Sequence, residues 1–118
     1  MAKINTKIIY DKEEDILYLS KERKIKASIE IGDFILDVDM DDFISGIEIL
    51  NASENLGISL NHLENIQKAN MQITYKPNYV HILLVFMFKD KEVRVPVPLT
   101  IDLGHGEVKT EKTGFVSA

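Results

Sequence analysis

The sequence predicts an α+β domain that is mainly an antiparallel β meander, with about seven to eight strands and one short helical connector. Three observations predict it. Between Ile25 and Leu50 apolar residues alternate with a period of two, as half-buried strands require. Between Ala52 and Ala69 the spacing changes to three and four at Leu56, Leu60, Leu63 and Ile66, the signature of an amphipathic helix. From Met71 to Leu99 strand periodicity returns.

The segments Ile4 to Tyr10 and Ile16 to Ser20 flank the charged run Asp11-Lys12-Glu13-Glu14-Asp15, which predicts a hairpin with its tip in water. In the next pair, Ile25, Ala27, Ile29 and Ile31 face one way. Gly32-Asp33 then supplies a two-residue turn with Gly in its first central position, and the alternation resumes at Phe34, Leu36, Val38 and Met40. Setting Ile31 opposite Phe34 pairs Ile29 with Leu36, Ala27 with Val38 and Ile25 with Met40, so one face is apolar throughout. The other face then sets Lys26 against Asp39 and Ser28 against Asp37. A second reversal at Asp41-Asp42 leads into the strand-like segment Phe43 to Leu50.

In the connector, Gly57 should break the helix and Ser59 should cap its second piece. Met71, Ile73 and Tyr75 alternate with polar residues up to a turn at Pro77-Asn78. Val80 to Phe88 is apolar at nearly every position, which predicts a strand buried on both faces. One short helix is little cover for it, so Val80, Ile82, Leu84, Phe86 and Phe88 are the expected interface of a symmetric homodimer. Val93 to Leu99 carries Pro96 and Pro98, two missing backbone donors on one side of the strand, and belongs at a sheet edge. Residues 1–101 thus read as one β-rich domain, with N-terminal hairpins over 1–51, the helical connector over 52–69 and C-terminal strands over 70–101. Residues 102–118 read as a loosely ordered tail.

Composition narrows the function classes. A chain of 118 residues with 45% hydrophobic content can build one core unaided. The absence of cysteine excludes disulfides, thiolate zinc sites and a cysteine nucleophile. A net charge of -5 and a pI near 5.1 argue against nucleic acid as a partner. The basic cluster Lys21, Arg23, Lys24 and Lys26 reads as a solvated turn. The first residues lack a signal-peptide core, and the longest apolar run is far short of the roughly 20 residues of a membrane helix. A soluble cytoplasmic protein is the expectation.

The acidic run Asp37, Asp39, Asp41, Asp42 and Glu48 matches the ligand types of a calcium loop at its first, third, fifth and twelfth positions. The sixth position lacks the required Gly, and both flanks have the strand period rather than the helical one. Asp37, Asp39, Asp41 and Glu48 therefore remain candidate metal ligands at an exposed turn, with a solvated charged turn as the plainer reading. Asp37 and Asp39 could form a carboxylate pair only inside a cleft that separates their pKa values. His62, His81 and His105 show no metal-ligand spacing, the serines no nucleophile context, and Gly104-His105-Gly106 is too short for a phosphate loop. No catalytic residue and no cofactor are expected, and the chain reads as a non-enzyme.

Two segments carry a family resemblance: Tyr10-Asp11-Lys12-Glu13-Glu14-Asp15-Ile16-Leu17-Tyr18-Leu19, and Ile35-Leu36-Asp37-Val38-Asp39 running on to Gly46-Ile47-Glu48-Ile49-Leu50-Asn51-Ala52. In order and spacing they resemble the small prokaryotic proteins grouped as DUF2283, a domain of unknown function, over about residues 7–52. The chain departs from that family at Asp42, where the family has Gly, which predicts a wider turn here. The resemblance implies a β-rich fold for the N-terminal half and strands around the aspartates, and supplies no mechanism. The resulting expectation is a non-catalytic, self-associating structural or interaction module. One alternative is an antitoxin-like acidic binder of a basic protein partner; another is a weak divalent-cation binder.

Overall fold

The computed structural model describes residues 7–100, 109–112 and 116–117. Five strands form the N-terminal half: β1 (Lys7–Asp11), β2 (Ile16–Ser20), β3 (Ile25–Ile31), β4 (Phe34–Asp39) and β5 (Ile44–Ile49). Two short helices follow, α1 (Ala52–Leu56) and α2 (Leu60–Leu63), and then β6 (Lys68–Lys76), β7 (Tyr79–Met87) and β8 (Glu92–Leu99). Two pieces of the C-terminal stretch, β9 (Lys109–Lys112) and β10 (Val116–Ser117), both pair with β6. Expectations that fall on residues 1–6, 101–108, 113–115 and 118 lie outside the described residues.

The strands run in the order β3-β4-β5-β2-β1-β10-β6-β7-β8. The C-terminal half, β6-β7-β8, is the expected meander. The N-terminal half is not: β2 pairs with β1 and β5, while β3 stands at the open edge. Three hairpin-linked strands therefore fold back so that the last lies beside the strand that preceded them, a Greek-key connection. A meander would have set β3 beside β2 and left Ile47 and Ile49 at the edge. In the Greek key Ile47 lies between Leu19 and Leu36, and Ile49 between Leu17 and Phe34.

Alternation set the β3–β4 register correctly for Ile31 opposite Phe34, Ile29 opposite Leu36, Ala27 opposite Val38 and Ser28 opposite Asp37. It fails at the far end, where a bulge between Ile25 and Ala27 places Ile25 against Asp39 in place of Met40. Ile25, Ala27 and Met40 are exposed as a result, and Lys26 forms an ion pair with Asp42, not with Asp39. The basic cluster is also more engaged than a solvated turn: Lys21 is buried and Arg23 lies 3.5 Å from Asp39.

Both halves turn their apolar faces onto one core. Leu17, Leu19, Leu36, Ile47 and Ile49 meet Met71, Ile73, Tyr75, Ile82, Leu84 and Phe86, and Ala52, Leu56, Leu63 and Ile66 close one end. At roughly 1.5–3 kcal/mol for each fully buried large apolar side chain, this burial is the main term opposing chain entropy. One polar tie crosses it: the Ile44 N–H donates to Tyr75 Oη at 2.9 Å in a buried setting. The Phe43 ring meets the Tyr75 ring edge-on at 5.5 Å.

The five residues assigned to a dimer interface belong to this core. Val80, Ile82, Leu84, Phe86 and Phe88 are at most 7% exposed in the single chain, so they have no surface left to bury against a partner. The missing cover is the other half of the sheet, which the local pattern of one strand does not reveal. The connector divides where the sequence predicts. It is two helices, with Gly57 at φ 67° ending the first and Ser59 capping the second through a hydrogen bond from the His62 N–H. Leu60, placed on the apolar stripe by its spacing, is 40% exposed because the chain reorients at Gly57.

Candidate functional site

The outward face of the N-terminal half follows from the pairing. One row across the strands reads Glu30, Ile35, Glu48, Tyr18, Ile9; the next reads Ser28, Asp37, Gly46, Ser20, Lys7. These rows, with Asp11 and Ile16 beside them, shape a depression of about 520 Å³ lined by Ile9, Asp11, Ile16, Tyr18, Ser28, Ile35, Asp37 and Glu48. An outward sheet face normally carries polar residues, yet here Ile9 is 46% exposed and Ile16 and Ile35 are half-buried.

At its centre the Asp37 carboxylate accepts two hydroxyl hydrogen bonds, from Tyr18 Oη to Oδ2 at 2.8 Å and from Ser28 Oγ to Oδ1 at 2.9 Å. Tyr18 is on β2 and Asp37 on β4, so the first bond spans the intervening strand β5, a distance of about 9–10 Å between strand axes. Gly46 makes the span feasible. A Cβ there would stand 2.9 Å from Asp37 Oδ2 and 3.3 Å from the Leu19 carbonyl oxygen, in space the carboxylate occupies. Burial raises the Tyr18 pKa; Ser20 acts against this, and the Asp37 hydrogen bond, the Asp37 charge and the Glu48 charge add to it. The phenol is thereby held protonated and donating.

Glu48 has no hydrogen-bond or ion-pair partner among the described residues, and Asp11 accepts only the Glu14 N–H, at 3.1 Å. Three carboxylates, Asp11, Asp37 and Glu48, thus line an isoleucine-floored depression with no cation bonded to them among the described residues.

Of the four candidate metal ligands, only Asp37 and Glu48 share this depression. Asp39 is 3% exposed, and its Oδ1 accepts the N–H groups of Asp41 (2.9 Å) and Phe43 (3.1 Å), closing its own turn; Asp41 points to solvent. Among the described residues no group of three or more His, Asp or Glu side chains could hold a metal ion. Strands flank the acidic run on both sides, so the helix-flanked calcium-loop geometry does not form. The reversal between β4 and β5 holds Asp42 in the left-handed conformation that suits Gly. Asp42 itself adopts φ 65°, and Asp39 and Phe43 close the reversal with a backbone hydrogen bond of 2.8 Å.

One residue with a defined role was not singled out by the sequence. Asp15, expected at a solvated tip, takes φ 56° and turns its carboxylate onto α1, accepting from Ser53 N (3.0 Å), Ser53 Oγ (2.6 Å) and Tyr10 Oη (2.7 Å). Burial acts to raise the Asp15 pKa, but the hydrogen bonds from Ser53 and Tyr10 outweigh it and hold the group below its ordinary value. The usual cap position, Asn51, makes no side-chain cap bond, so the hairpin tip caps the helix in its place. The signal available was the pairing of a Tyr and an Asp at the two ends of one charged turn.

A second depression, of about 590 Å³, lies between α2 and the β7–β8 turn around His62, Ile66 and Phe88. Its histidine is already engaged: Nδ1 lies 2.7 Å from Ser59 Oγ, and the ring meets Phe88 edge-on at 5.6 Å.

Residues 7–53, which hold both β-hairpin segments around the first depression, match the family model described as "Protein of unknown function (DUF2283)". A putative hypoxanthine phosphoribosyltransferase of Methanosarcina mazei is 32% identical over 80 residues, covering 67% of this chain. The chain spans 65% of that relative's length. The uncharacterised protein MJ0789 of Methanocaldococcus jannaschii is 34% identical over 113 residues, covering 89% of this chain and 97% of the other. No solved structure gives a significant match. With a full-length relative at that identity and the family pattern laid out along β1 to β5, this chain belongs to the DUF2283 family of proteins of unknown function.

Proposed function

We propose that the chain is a non-catalytic interaction module whose outer N-terminal sheet face docks a basic segment of a partner protein. One observation carries the reading: Asp11, Asp37 and Glu48 lie among the exposed Ile9 and the half-buried Ile16 and Ile35, with no cation bonded to them among the described residues. The isoleucines suit the aliphatic stems of long basic side chains and the carboxylates suit their tips. The carboxylates are spread over β1, β4 and β5, which favours an extended, multiply charged ligand over a single ion. The acidic net charge of -5 favours the same class of partner. The activity in the name of the Methanosarcina relative belongs to that protein and is not transferred here.

The test is fluorescence anisotropy with a labelled nine-residue peptide of alternating lysine and serine. Saturable binding that weakens with salt, and weakens at least about fivefold in Asp11→Asn/Glu48→Gln, is expected. The control is Glu13→Gln/Glu14→Gln, which removes equal charge from the neighbouring turn. Equal loss in both double variants would reduce the effect to net charge and refute the reading.

Self-association is a second reading, favoured by the outward face of β7. Leu83 and Met87 are half-buried there, Val85 lies between them, and Pro96 and Pro98 of β8 are exposed alongside. Light scattering on the purified chain decides it: a dimer that Leu83→Lys dissociates supports this face, and a monomer removes it.

A further inference from the structure

We infer that the group seated on Asp37 is an arginine of the basic segment, and that Asp37 is the residue that selects guanidinium over ammonium. This inference rests on the docking reading above.

An ionised carboxylate offers about four acceptor sites. Tyr18 takes one on Oδ2 and Ser28 one on Oδ1, which leaves both oxygens with accepting capacity. Two hydroxyl bonds from opposite sides, one from β2 and one from β3, also fix the plane of the carboxylate. A planar, immobile carboxylate with both oxygens able to accept is the partner that a guanidinium fork matches with two parallel hydrogen bonds. An ammonium is a point donor and gains nothing from that fixed plane.

The surroundings act in the same direction. The Tyr18 ring and the Ile9 and Ile35 side chains line the same depression as Asp37. Guanidinium is more weakly hydrated than ammonium and lies flat on aromatic and apolar surfaces, so it loses less on entering such a site. Gly46 gives the arrangement its geometry, since any side chain there would displace the carboxylate from the position that Tyr18 and Ser28 hold.

The experiment compares two nine-residue peptides by anisotropy, one alternating arginine with serine and the other lysine with serine, against the wild-type chain, Asp37→Asn and Tyr18→Phe. The expected result is that the wild type binds the arginine peptide about tenfold tighter than the lysine peptide. Asp37→Asn should bring that ratio close to one, and Tyr18→Phe, which frees the carboxylate to rotate, should reduce it while leaving the charge in place. Equal affinity for the two peptides in the wild type, or a preference that survives Asp37→Asn, overturns the arginine assignment and leaves basic docking standing. Failure of both peptides to bind the wild type overturns the docking reading and this inference with it. If Asp37→Asn does not fold by circular dichroism, Tyr18→Phe alone decides, and an unchanged ratio there overturns the assignment.

Discussion

Replacing Asp15 with Asn tests whether a hairpin tip caps α1 from outside the helix. Asn tolerates the left-handed backbone that Asp15 adopts at φ 56°, so the change removes charge without adding backbone strain. One side-chain oxygen remains to accept from Ser53. The other becomes an amide N–H₂ facing the Ser53 or Tyr10 hydroxyl that it formerly accepted from. Each charge-assisted bond exceeds its neutral counterpart by about 1 kcal/mol, and two such bonds are affected, which gives a loss of about 2 kcal/mol. At this chain length that is a fall in Tm of about 8 °C. The pH dependence has a fixed sign. Asp15 titrates below its ordinary value of 3.8 when folded, so its stabilisation is complete above that value and fades as pH falls through the lower folded one. Urea unfolding of wild type and Asp15→Asn at pH 7 should therefore show the full gap, and the gap should narrow below about pH 4. A gap under about 0.5 kcal/mol at pH 7, or one that persists unchanged into acid, would refute the capping role.

Three further outcomes follow from named contacts. Tyr75→Phe removes the acceptor of the buried Ile44 N–H and should cost about 1–3 kcal/mol in urea unfolding, with the ring packing against Phe43 retained. Gly46→Ala forces the Asp37 carboxylate off Tyr18; it should lower stability by about 1 kcal/mol and weaken basic-peptide binding more than that loss accounts for. Gly57→Ala meets open space but puts a Cβ on a left-handed backbone at φ 67°, and should cost about 1 kcal/mol in thermal unfolding through strain alone.

The parts of the fold legible in the sequence are those fixed by local chemistry. Gly32 set the β3–β4 turn, and the alternation on either side gave the pairing of Ile31, Ile29 and Ala27 with Phe34, Leu36 and Val38. Gly57 and Ser59 divided the connector where the helices do divide. The features it missed depend on contacts distant in the chain. Nothing local to Val80–Phe88 indicates that its inner face meets Leu17, Leu36 and Ile47, so the sequence pattern points to a second chain where the protein's own N-terminal half provides the cover. The bulge between Ile25 and Ala27 interrupts an alternation that runs unbroken in the sequence, and it sits opposite Asp39, which closes the next turn by donating its N–H to the Phe43 carbonyl. The depression is half visible in the sequence: the acidic spacing singles out Asp37 and Glu48, but as ligands for one ion. Their relation to Tyr18, Asp11 and Ile9 appears only when the Greek key sets β2 and β1 beside β5. Gly46 in the Gly-Ile-Glu-Ile-Leu stretch gains its reason at the same step, because the carboxylate that lies over it comes from the neighbouring strand.

A basic segment is proposed to dock on the outward face of β1, β2, β5 and β4. The most direct test is to titrate the isotopically labelled chain with the arginine–serine peptide and map the shifted backbone amides by NMR. Saturable shifts are expected, concentrated at Ile9, Tyr18, Ile35, Asp37, Gly46 and Glu48, with the outer face of β6–β8 unmoved. Shifts scattered over the acidic surface, or concentrated on the β7 face around Leu83 and Met87, would contradict it.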